Sequence, residues 1–135
     1  MPLVRRGDAT PWEALPGRQM AELISGAQGG AARVTLRVVE ITRLQPPERR
    51  NPHEHRDVEE CIYVLAGRCR VWIDGDTAVV GPGDAVLVPA GALHATLNAG
   101  PEPLRLACFF PTSNMPASLV EHPEVELPEE ILYER

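Results

Sequence analysis

The chain has 135 residues, of which 44% are hydrophobic and 4% aromatic, and its formal net charge is −6. This size and composition favour one globular domain over a disordered chain. All 13 basic residues are arginine, so Schiff-base chemistry on lysine is excluded. An acidic domain without a basic stripe is not expected to bind nucleic acid, and we expect a small-molecule substrate or ligand instead.

The three cysteines, Cys61, Cys69 and Cys108, follow neither a CxxC spacing nor the pattern of a secreted disulfide framework. We therefore expect reduced thiols in the core of a cytoplasmic protein. No apolar stretch follows the basic start of the chain, so a signal peptide is not expected. Every apolar run is interrupted well before the ~18 residues that a transmembrane helix needs, so no membrane association is expected.

The N-terminal third is predicted to hold an irregular arm and two strands. Residues 1–17 are broken by prolines and a glycine, whereas residues 18–25 form a first strand. After a loop of small residues, positions 32–44 are rich in Val, Ile and Thr, which predicts a long strand. Alternating polar residues give this strand one wetter face: Arg33, Thr35 and Arg37.

A run of short strands follows the charged loop at residues 48–57. Asp74-Gly75 predicts a tight hairpin, and Gly81-Pro82-Gly83-Asp84 predicts a type II turn. The predicted strands are 58–66, 68–73, 76–80, 85–88, 93–98 and 104–110. About eight short strands with regular turns predict an all-β fold, a closed antiparallel barrel or jelly roll. The chain divides into an arm with the first strand, the barrel, and an acidic tail that packs on it, at residues 1–30, 31–111 and 112–135.

Histidines with metal-ligand character lie at turn and strand positions. His53 and His55 are separated by one residue, so their side chains point to the same side of an extended segment. Glu60 begins a strand whose next same-face neighbours are apolar, and an unpaired inward carboxylate would be costly to bury. A cation held by the histidines would supply its partner. His94 belongs to a separate strand, and His122, alone in the tail, has no predicted role.

Two motifs, in this order, resemble those of the cupin superfamily. The first is His53-Glu54-His55, four residues, Glu60, six residues and Gly67. The second is Gly83, five residues, Pro89-Ala90-Gly91, two residues, His94, three residues and Asn98. With the flanking strands, the resemblance covers residues 30–110. One position departs from the pattern, because Pro47 replaces the turn glycine that precedes the first histidine in the family.

The resemblance implies a double-stranded β-helix, or jelly-roll, barrel that holds one divalent metal ion on four residues: His53, His55, Glu60 and His94. The six-residue step to Gly67 selects Glu60 rather than Glu59 as the carboxylate ligand. Three imidazoles and one carboxylate suit iron, manganese, nickel, cobalt or zinc, so the identity of the metal stays open. An ion that prefers six ligands would keep two open positions and act as Lewis acid and template.

Several arginines near the predicted site have two interpretations. Arg33, Thr35 and Arg37 either line the mouth of the pocket and clamp a carboxylate or form a solvated face, which is the commoner outcome. Arg68 and Arg70 present the same choice, and solvent exposure is favoured for both.

Other side chains are placed by the alternation of the strands. Tyr63 and Trp72 either stack on a ligand or pack in an interface or outer core, and packing is favoured for Tyr63. Thr96 shares a face with the third histidine ligand and is expected to support the metal site. Asn98 is expected to bond to backbone at the strand end, and Cys61 to lie opposite the metal face.

The function favoured by these observations is a metalloenzyme that acts on a small oxygenated or carboxylated molecule. Dioxygenase, lyase or decarboxylase, and isomerase chemistry all fit, with Glu60 or a metal-bound hydroxide as the catalytic base. A non-catalytic module that binds or senses a ligand or metal is the alternative, and sugar-nucleotide isomerisation or epimerisation is a weaker third. We also expect a homodimer, paired through an outer sheet face with the N-terminal arm or residues 18–25 reaching across.

Overall fold

The computed structural model describes residues 3–134, whose strands form two antiparallel sheets. In this part of the chain the strands are β1 (Glu13–Leu15), β2 (Arg18–Ile24), β3 (Thr35–Ile41), β4 (His53–His55), β5 (Glu60–Ala66), β6 (Cys69–Ile73), β7 (Asp76–Val80), β8 (Ala85–Val88), β9 (His94–Asn98), β10 (Leu104–Phe110) and β11 (Leu119–Glu121). The short helices are two 3-10 turns, Gly7–Ala9 and Met115–Ser118, and α1 (Glu129–Tyr133). Among the described residues, no helix has the length and hydropathy needed to cross a membrane.

The two sheets interleave strands that are distant in sequence. The six-stranded sheet has the order β1-β2-β3-β10-β5-β8, and the five-stranded sheet has the order β11-β4-β9-β6-β7. All the pairings in both sheets are antiparallel. The expectation of an all-β jelly-roll barrel is therefore confirmed.

Strand β5 illustrates how alternation in the sequence sets the two faces of the six-stranded sheet. Its inward residues Glu60, Ile62 and Val64 are buried, whereas Cys61 and Tyr63 are exposed, as a period of two requires. The inward apolar residues join a core cluster between the sheets, where each fully buried aliphatic side chain contributes about 1.5–3 kcal/mol. The outer face exposes large apolar side chains: Tyr63, Leu65, Leu87 and Phe109.

The N-terminal arm is more ordered than the sequence predicted. Residues 13–15 form β1, which pairs with β2 across a two-residue turn at Pro16-Gly17. Gly17 has a φ of 69°, and a proline followed by a glycine with positive φ is the pattern of a type II turn. The two residues that were interpreted as breakers therefore form a hairpin, and the next residue, Arg18, begins β2.

The strand predicted at 32–44 is shorter than expected and spans 35–41. Leu44 leaves the sheet and packs in a second apolar cluster with Leu97, Leu127 and Leu132. Two of these residues come from the acidic tail, whose apolar side chains cover the outside of the five-stranded sheet.

The tail also supplies a strand that sequence reasoning did not find. Strand β11 pairs with β4, which lies inside the segment predicted as a charged loop. Both strands have only three residues. Periodicity cannot be recognised over so few positions, whereas the structure pairs the two segments directly.

Candidate metal centre

The structure brings the four predicted ligands together from both sheets. His53 and His55 lie at the two ends of β4, and His94 begins the neighbouring strand β9, where it pairs directly with His53. Glu60 begins β5 in the opposite sheet. The cluster therefore forms only when the two sheets are stacked, and Glu59, the rival carboxylate, is exposed on the other side of the chain.

The distances within this cluster match the size of a single metal ion. One potential ligand atom from each of the four residues lies within 4.8 Å of all the others. Two ligands on opposite sides of a zinc-sized ion lie about 4 Å apart, so a small inward movement would place all four at bonding distance. His94 Nε2 is 3.1 Å from Glu60 Oε1, and His55 Nε2 is 3.5 Å from the same oxygen.

The hydrogen bonds of the imidazoles also fit a metal. The buried Nε2 atom of His55 has no hydrogen-bond partner among the described residues, and such an atom is costly unless a ligand fills it. Glu60 is 5% exposed and His94 is 1% exposed, so an ionised carboxylate among neutral imidazoles would take its countercharge from a bound cation. Three nitrogen donors, one of which is this unfilled Nε2 atom, and one oxygen donor together suit a divalent transition metal.

Backbone and tail groups orient two of the imidazoles. Nδ1 of His94 lies 3.0 Å from the carbonyl oxygen of Ala92, which favours a proton on Nδ1 and leaves Nε2 as the donor atom toward the cluster. Ser118 Oγ donates to the carbonyl oxygen of Met115 at 2.7 Å and lies 3.4 Å from His55 Nδ1, where it accepts a long hydrogen bond. Both contacts turn an Nε2 lone pair toward the metal position.

Burial and neighbouring groups favour the ligand forms of the cluster. Burial, together with the nearby imidazoles of His94 and His55, lowers the pKa of His53 to about 3. Burial opposes the ionisation of Glu60, but hydrogen bonds that His55 and His94 would donate to its carboxylate in place of a metal outweigh burial and lower the pKa of Glu60. Neutral imidazoles and an ionised carboxylate are the forms that bind a metal. Burial, and next the charge of Glu60, raise the pKa of Cys108 on the cavity wall.

The cluster lies in a cavity of about 100 Å³ between the sheets. Most of its wall is apolar: Met20, Val39, Ile41, Ile62, Leu106 and Phe110. Its other polar residues are Arg18, Arg37, Thr96 and Glu121. A second cavity of about 190 Å³ adjoins it, and Arg18, His53 and Glu121 line both.

The three alternating polar residues that were predicted to share a wetter face lie in three different environments. Arg33 precedes the strand and is exposed, whereas Thr35 is fully buried and donates to the carbonyl oxygen of Thr112 at 2.7 Å. Arg37 lines the metal cavity but is held by Glu22, whose Oε1 accepts from Nε at 3.0 Å and from Nη2 at 2.8 Å. The predicted wetter face is therefore wrong for Thr35, because its hydroxyl bonds to a carbonyl in the segment that follows β10.

Most other placements agree with the alternation of the strands. Asn98 donates to the carbonyl oxygens of Ile41 and Glu102 and accepts from a backbone N–H, as predicted for a strand end. Cys61 is exposed opposite the cluster, and Thr96 lines the cavity. Tyr63, for which packing was favoured, is 47% exposed in this chain.

Three predictions about surface residues have mixed outcomes. Arg68 is exposed as expected, but the exposure favoured for Arg70 is wrong, because its guanidinium is buried and donates to the carbonyl oxygen of Glu134 in the tail. Trp72 packs against the second apolar cluster. His122, which had no predicted role, lies between two surface carboxylates, those of Glu54 and Glu124.

Sequence reasoning missed three residues near the metal position: Arg18, Ser118 and Glu121. Arg18 was placed on the first strand, but its position directly after a Pro-Gly turn is the only local signal that marks it. Ser118 and Glu121 belong to the tail, where no motif points to a site. They reach the cluster because β11 pairs with the histidine strand, which puts Glu121 opposite His53.

Comparisons with known proteins agree with this fold and motif pattern. The sequence profile of the cupin domain family matches residues 40–110. The polyketide synthase CurC of Streptomyces cyaneus is 31% identical over 85 residues, which are 63% of this chain and 54% of that protein. The chain thus spans only about half the length of this curated relative.

Two solved structures extend the similarity to almost the whole chain. The polyketide cyclase RemF of Streptomyces resistomycificus has 26% identity and a TM-score of 0.73, with 98% of this chain and 91% of RemF covered. The nucleoside dehydratase Pac13 of Streptomyces has the same TM-score of 0.73 at 11% identity, with 96% of each chain covered. At that identity the second similarity concerns the fold alone. With more than half of its length matched by the family profile, the chain belongs to the cupin family.

Proposed function

We propose that the chain is a metal-dependent enzyme that acts on a small oxygenated or carboxylated molecule, with one divalent ion on His53, His55, Glu60 and His94. The observation that carries this proposal is the position of the four donors on the wall of a cavity rather than in a closed shell. A structural metal site is enclosed by protein ligands, whereas a catalytic site keeps room for substrate. The cavity therefore favours an enzyme over a storage module.

The metal ion, the apolar walls of the cavity and Glu60 would each have a separate role in the reaction. When bound, the ion supplies Lewis-acid polarisation of a substrate oxygen. The apolar walls exclude water from the reacting groups and strengthen electrostatic contacts within the cavity. Glu60 suits the ligand role better than the role of base, because its carboxylate is buried within the ligand cluster and would be occupied by the metal ion.

Glu121 is the carboxylate that we propose for proton transfer. It lines the metal cavity opposite His53, and its carboxylate makes no hydrogen bond or ion pair within the described part of the chain. A carboxylate that no hydrogen bond holds and that lies adjacent to the reacting position can accept a proton from substrate. This role would complement the metal ligands without disturbing them.

The reaction class that we propose is carbon-skeleton chemistry on a polyketide-like carbonyl compound, such as a ring closure, rather than the dioxygenation considered from the sequence. Support comes from the names of two relatives, a polyketide synthase and a polyketide cyclase, at 31% and 26% identity. Polarisation of a carbonyl oxygen and removal of an adjacent proton are the two operations that such a ring closure needs.

The test is conversion of a short polyketide acid, 3,5,7-trioxooctanoate, whose C2 can lose a proton and attack the C7 carbonyl to close a six-membered carbon ring with loss of water. Mass spectrometry follows the loss of water. Protein loaded in turn with zinc, iron(II), manganese, cobalt or nickel is compared with metal-free protein and with His55→Ala. We expect metal-dependent conversion that His55→Ala loses and Glu59→Gln, an exposed carboxylate beside the cluster, retains. Metal binding without conversion would favour the non-catalytic module, and equal rates with and without metal would contradict the proposal.

A further inference from the structure

We propose that Arg18 determines substrate specificity by binding a carboxylate of the ligand at the junction of the two cavities, while the other end of the ligand faces the metal centre. This inference rests on the proposed function and adds to it the charge of the substrate. Arg18 is the specificity residue here, and the metal ligands keep their own role.

The fold places Arg18 at this junction. The Pro16-Gly17 turn reverses the chain, and Arg18 follows as the first residue of β2. Because alternate residues of a strand share a face, Arg18 points to the same side as Met20, which lines the metal cavity. Arg18, His53 and Glu121 line both the metal cavity and the adjoining one.

The guanidinium of Arg18 is half-buried and makes no direct polar contact with the other described residues. Among residues 3–134, it makes no hydrogen bond and has no carboxylate within 4.0 Å. Its neighbours, in contrast, have direct partners: Arg37 is held by Glu22, and Arg50 donates to the carbonyl oxygens of Thr96 at 2.7 Å and Gly17 at 3.4 Å. A guanidinium carries five N–H donors, so Arg18 keeps its whole capacity for a ligand.

The surrounding charges also favour an anion. Three arginines line the second cavity, and we call this set the arginine mouth: Arg18, Arg49 and Arg50. Glu121 is the one carboxylate among the described residues that line it. Arg49 also lies 3.5 Å from Glu129, but three arginines against one lining carboxylate still leave an excess of positive charge on a chain of net charge −6, and such an excess concentrates anionic ligands.

The lowered pKa values of Arg50 and Arg18 are consistent with positive charges that lie close together. Burial, followed by the charge of Arg18, lowers the pKa of Arg50 to about 10. Burial lowers the pKa of Arg18 as well, although the charge of Glu121 opposes this. An anion between these groups would relieve their repulsion, and a carboxylate matches the planar fork of a guanidinium with two parallel hydrogen bonds.

The experiment compares two probes that share a metal-chelating 2-oxo acid head. The probe 2-oxoglutarate carries a remote carboxylate, whereas 2-oxopentanoate has a methyl group in its place. Calorimetric titration uses the full chain loaded with zinc. We expect the wild-type chain to bind 2-oxoglutarate about 10-fold more tightly than 2-oxopentanoate, as one charge-assisted contact allows.

Variants of Arg18 should remove this preference selectively. Arg18→Met is expected to weaken 2-oxoglutarate about 10-fold and leave 2-oxopentanoate within about 2-fold, and Arg18→Lys should restore part of the difference. Arg33→Met removes the same charge from an exposed position outside both cavities and should preserve the preference. Unchanged zinc content and 2-oxopentanoate binding would show that Arg18→Met is folded.

Two kinds of failure are distinguishable. Equal affinity of the wild-type chain for both probes, or a preference that survives Arg18→Met, would overturn the role of Arg18 and leave the metal centre intact. Equal losses in Arg18→Met and Arg33→Met would also overturn it, because net charge alone would then explain the effect. Failure of the wild-type chain to take up zinc would contradict the proposed function itself, and the role of Arg18 with it.

Discussion

The ligand cluster and the arginine mouth adjoin each other, but they are built in different ways. The cluster takes three histidines from two paired strands and one glutamate from the opposite sheet. The arginine mouth takes its charges from the first residue of β2 and the loop before β4, and a strand of the tail borders it. Short motifs thus fix the ligands, whereas tertiary contacts assemble the residues that would select a substrate.

Loss of a cluster histidine should have the largest effect, because it removes metal binding itself. A ligand that binds only the folded state adds about 2.7 kcal/mol of stability at a concentration 100 times its Kd. We expect zinc to raise the Tm of the wild-type chain and to leave the Tm of His55→Ala unchanged. Thermal unfolding with and without zinc measures this, and Glu59→Gln is the control that should keep the shift. A zinc-dependent shift in His55→Ala would contradict the ligand role.

Ser118 links the tail to the cluster, so its loss should weaken the metal without removing it. Ser118 Oγ contacts His55 Nδ1, and removal of groups that orient a metal-binding histidine typically lowers affinity 10–100-fold. We expect Ser118→Ala to lose about 10-fold in zinc affinity in a competition titration with a chelator.

Ser113→Ala makes the same change in the same segment at a side chain without contact to the ligands. It should bind zinc as the wild-type chain does. Equal zinc affinity in Ser118→Ala and Ser113→Ala would show that the tail does not orient the cluster.

The Glu22–Arg37 pair provides a comparison with Arg18, because Arg37 is held in an ion pair whereas Arg18 makes no direct hydrogen bond or ion pair among the described residues. Both side chains are mostly buried, and Glu22 also accepts from Ser25 Oγ at 2.7 Å. We expect Glu22→Gln to lower the free energy of unfolding by about 1–3 kcal/mol, because it leaves a partly buried guanidinium without its carboxylate. Denaturant unfolding measures this loss, and Glu13→Gln, at an exposed position on β1, should lose much less. Zinc affinity should stay unchanged in both variants.

The outer face of the six-stranded sheet should affect the metal site least. The homodimer expected from the sequence stays a prediction, and the exposed apolar side chains around Leu87 are its most suitable surface. We expect sedimentation to give a dimer for the wild-type chain and a monomer for Leu87→Glu, with zinc affinity unchanged in both. Val79→Glu, at an exposed position of the other sheet, is the matched control. A monomeric wild-type chain would contradict this prediction.

The parts of the site that sequence could predict are those with local signals. The six-residue step to Gly67 in the cupin motif selects Glu60 over Glu59, and the structure buries Glu60 and exposes Glu59, as one step along a strand requires. His94 followed from a motif with its own turn residues. Each of these signals spans a few neighbouring positions, so it does not depend on how distant segments meet.

The parts that were missed depend on contacts between distant segments. Ser118 lies 63 positions from His55, and Arg70 lies 64 positions from its acceptor at Glu134. By its residue type alone, Arg18 resembles an ordinary surface arginine. Only the folded structure shows that it lines both cavities. Which residues line a cavity is decided by register and packing, which a single sequence specifies only to within a few residues.

X-ray absorption spectroscopy of the zinc-loaded chain tests the central claim most directly. The four-residue site predicts one zinc ion with three imidazole nitrogens and a carboxylate oxygen at about 2.0–2.2 Å. Cys108, the thiol on the cavity wall, should contribute no sulfur. Fewer than three imidazoles, or a sulfur ligand at about 2.3 Å, would contradict the site composed of His53, His55, Glu60 and His94.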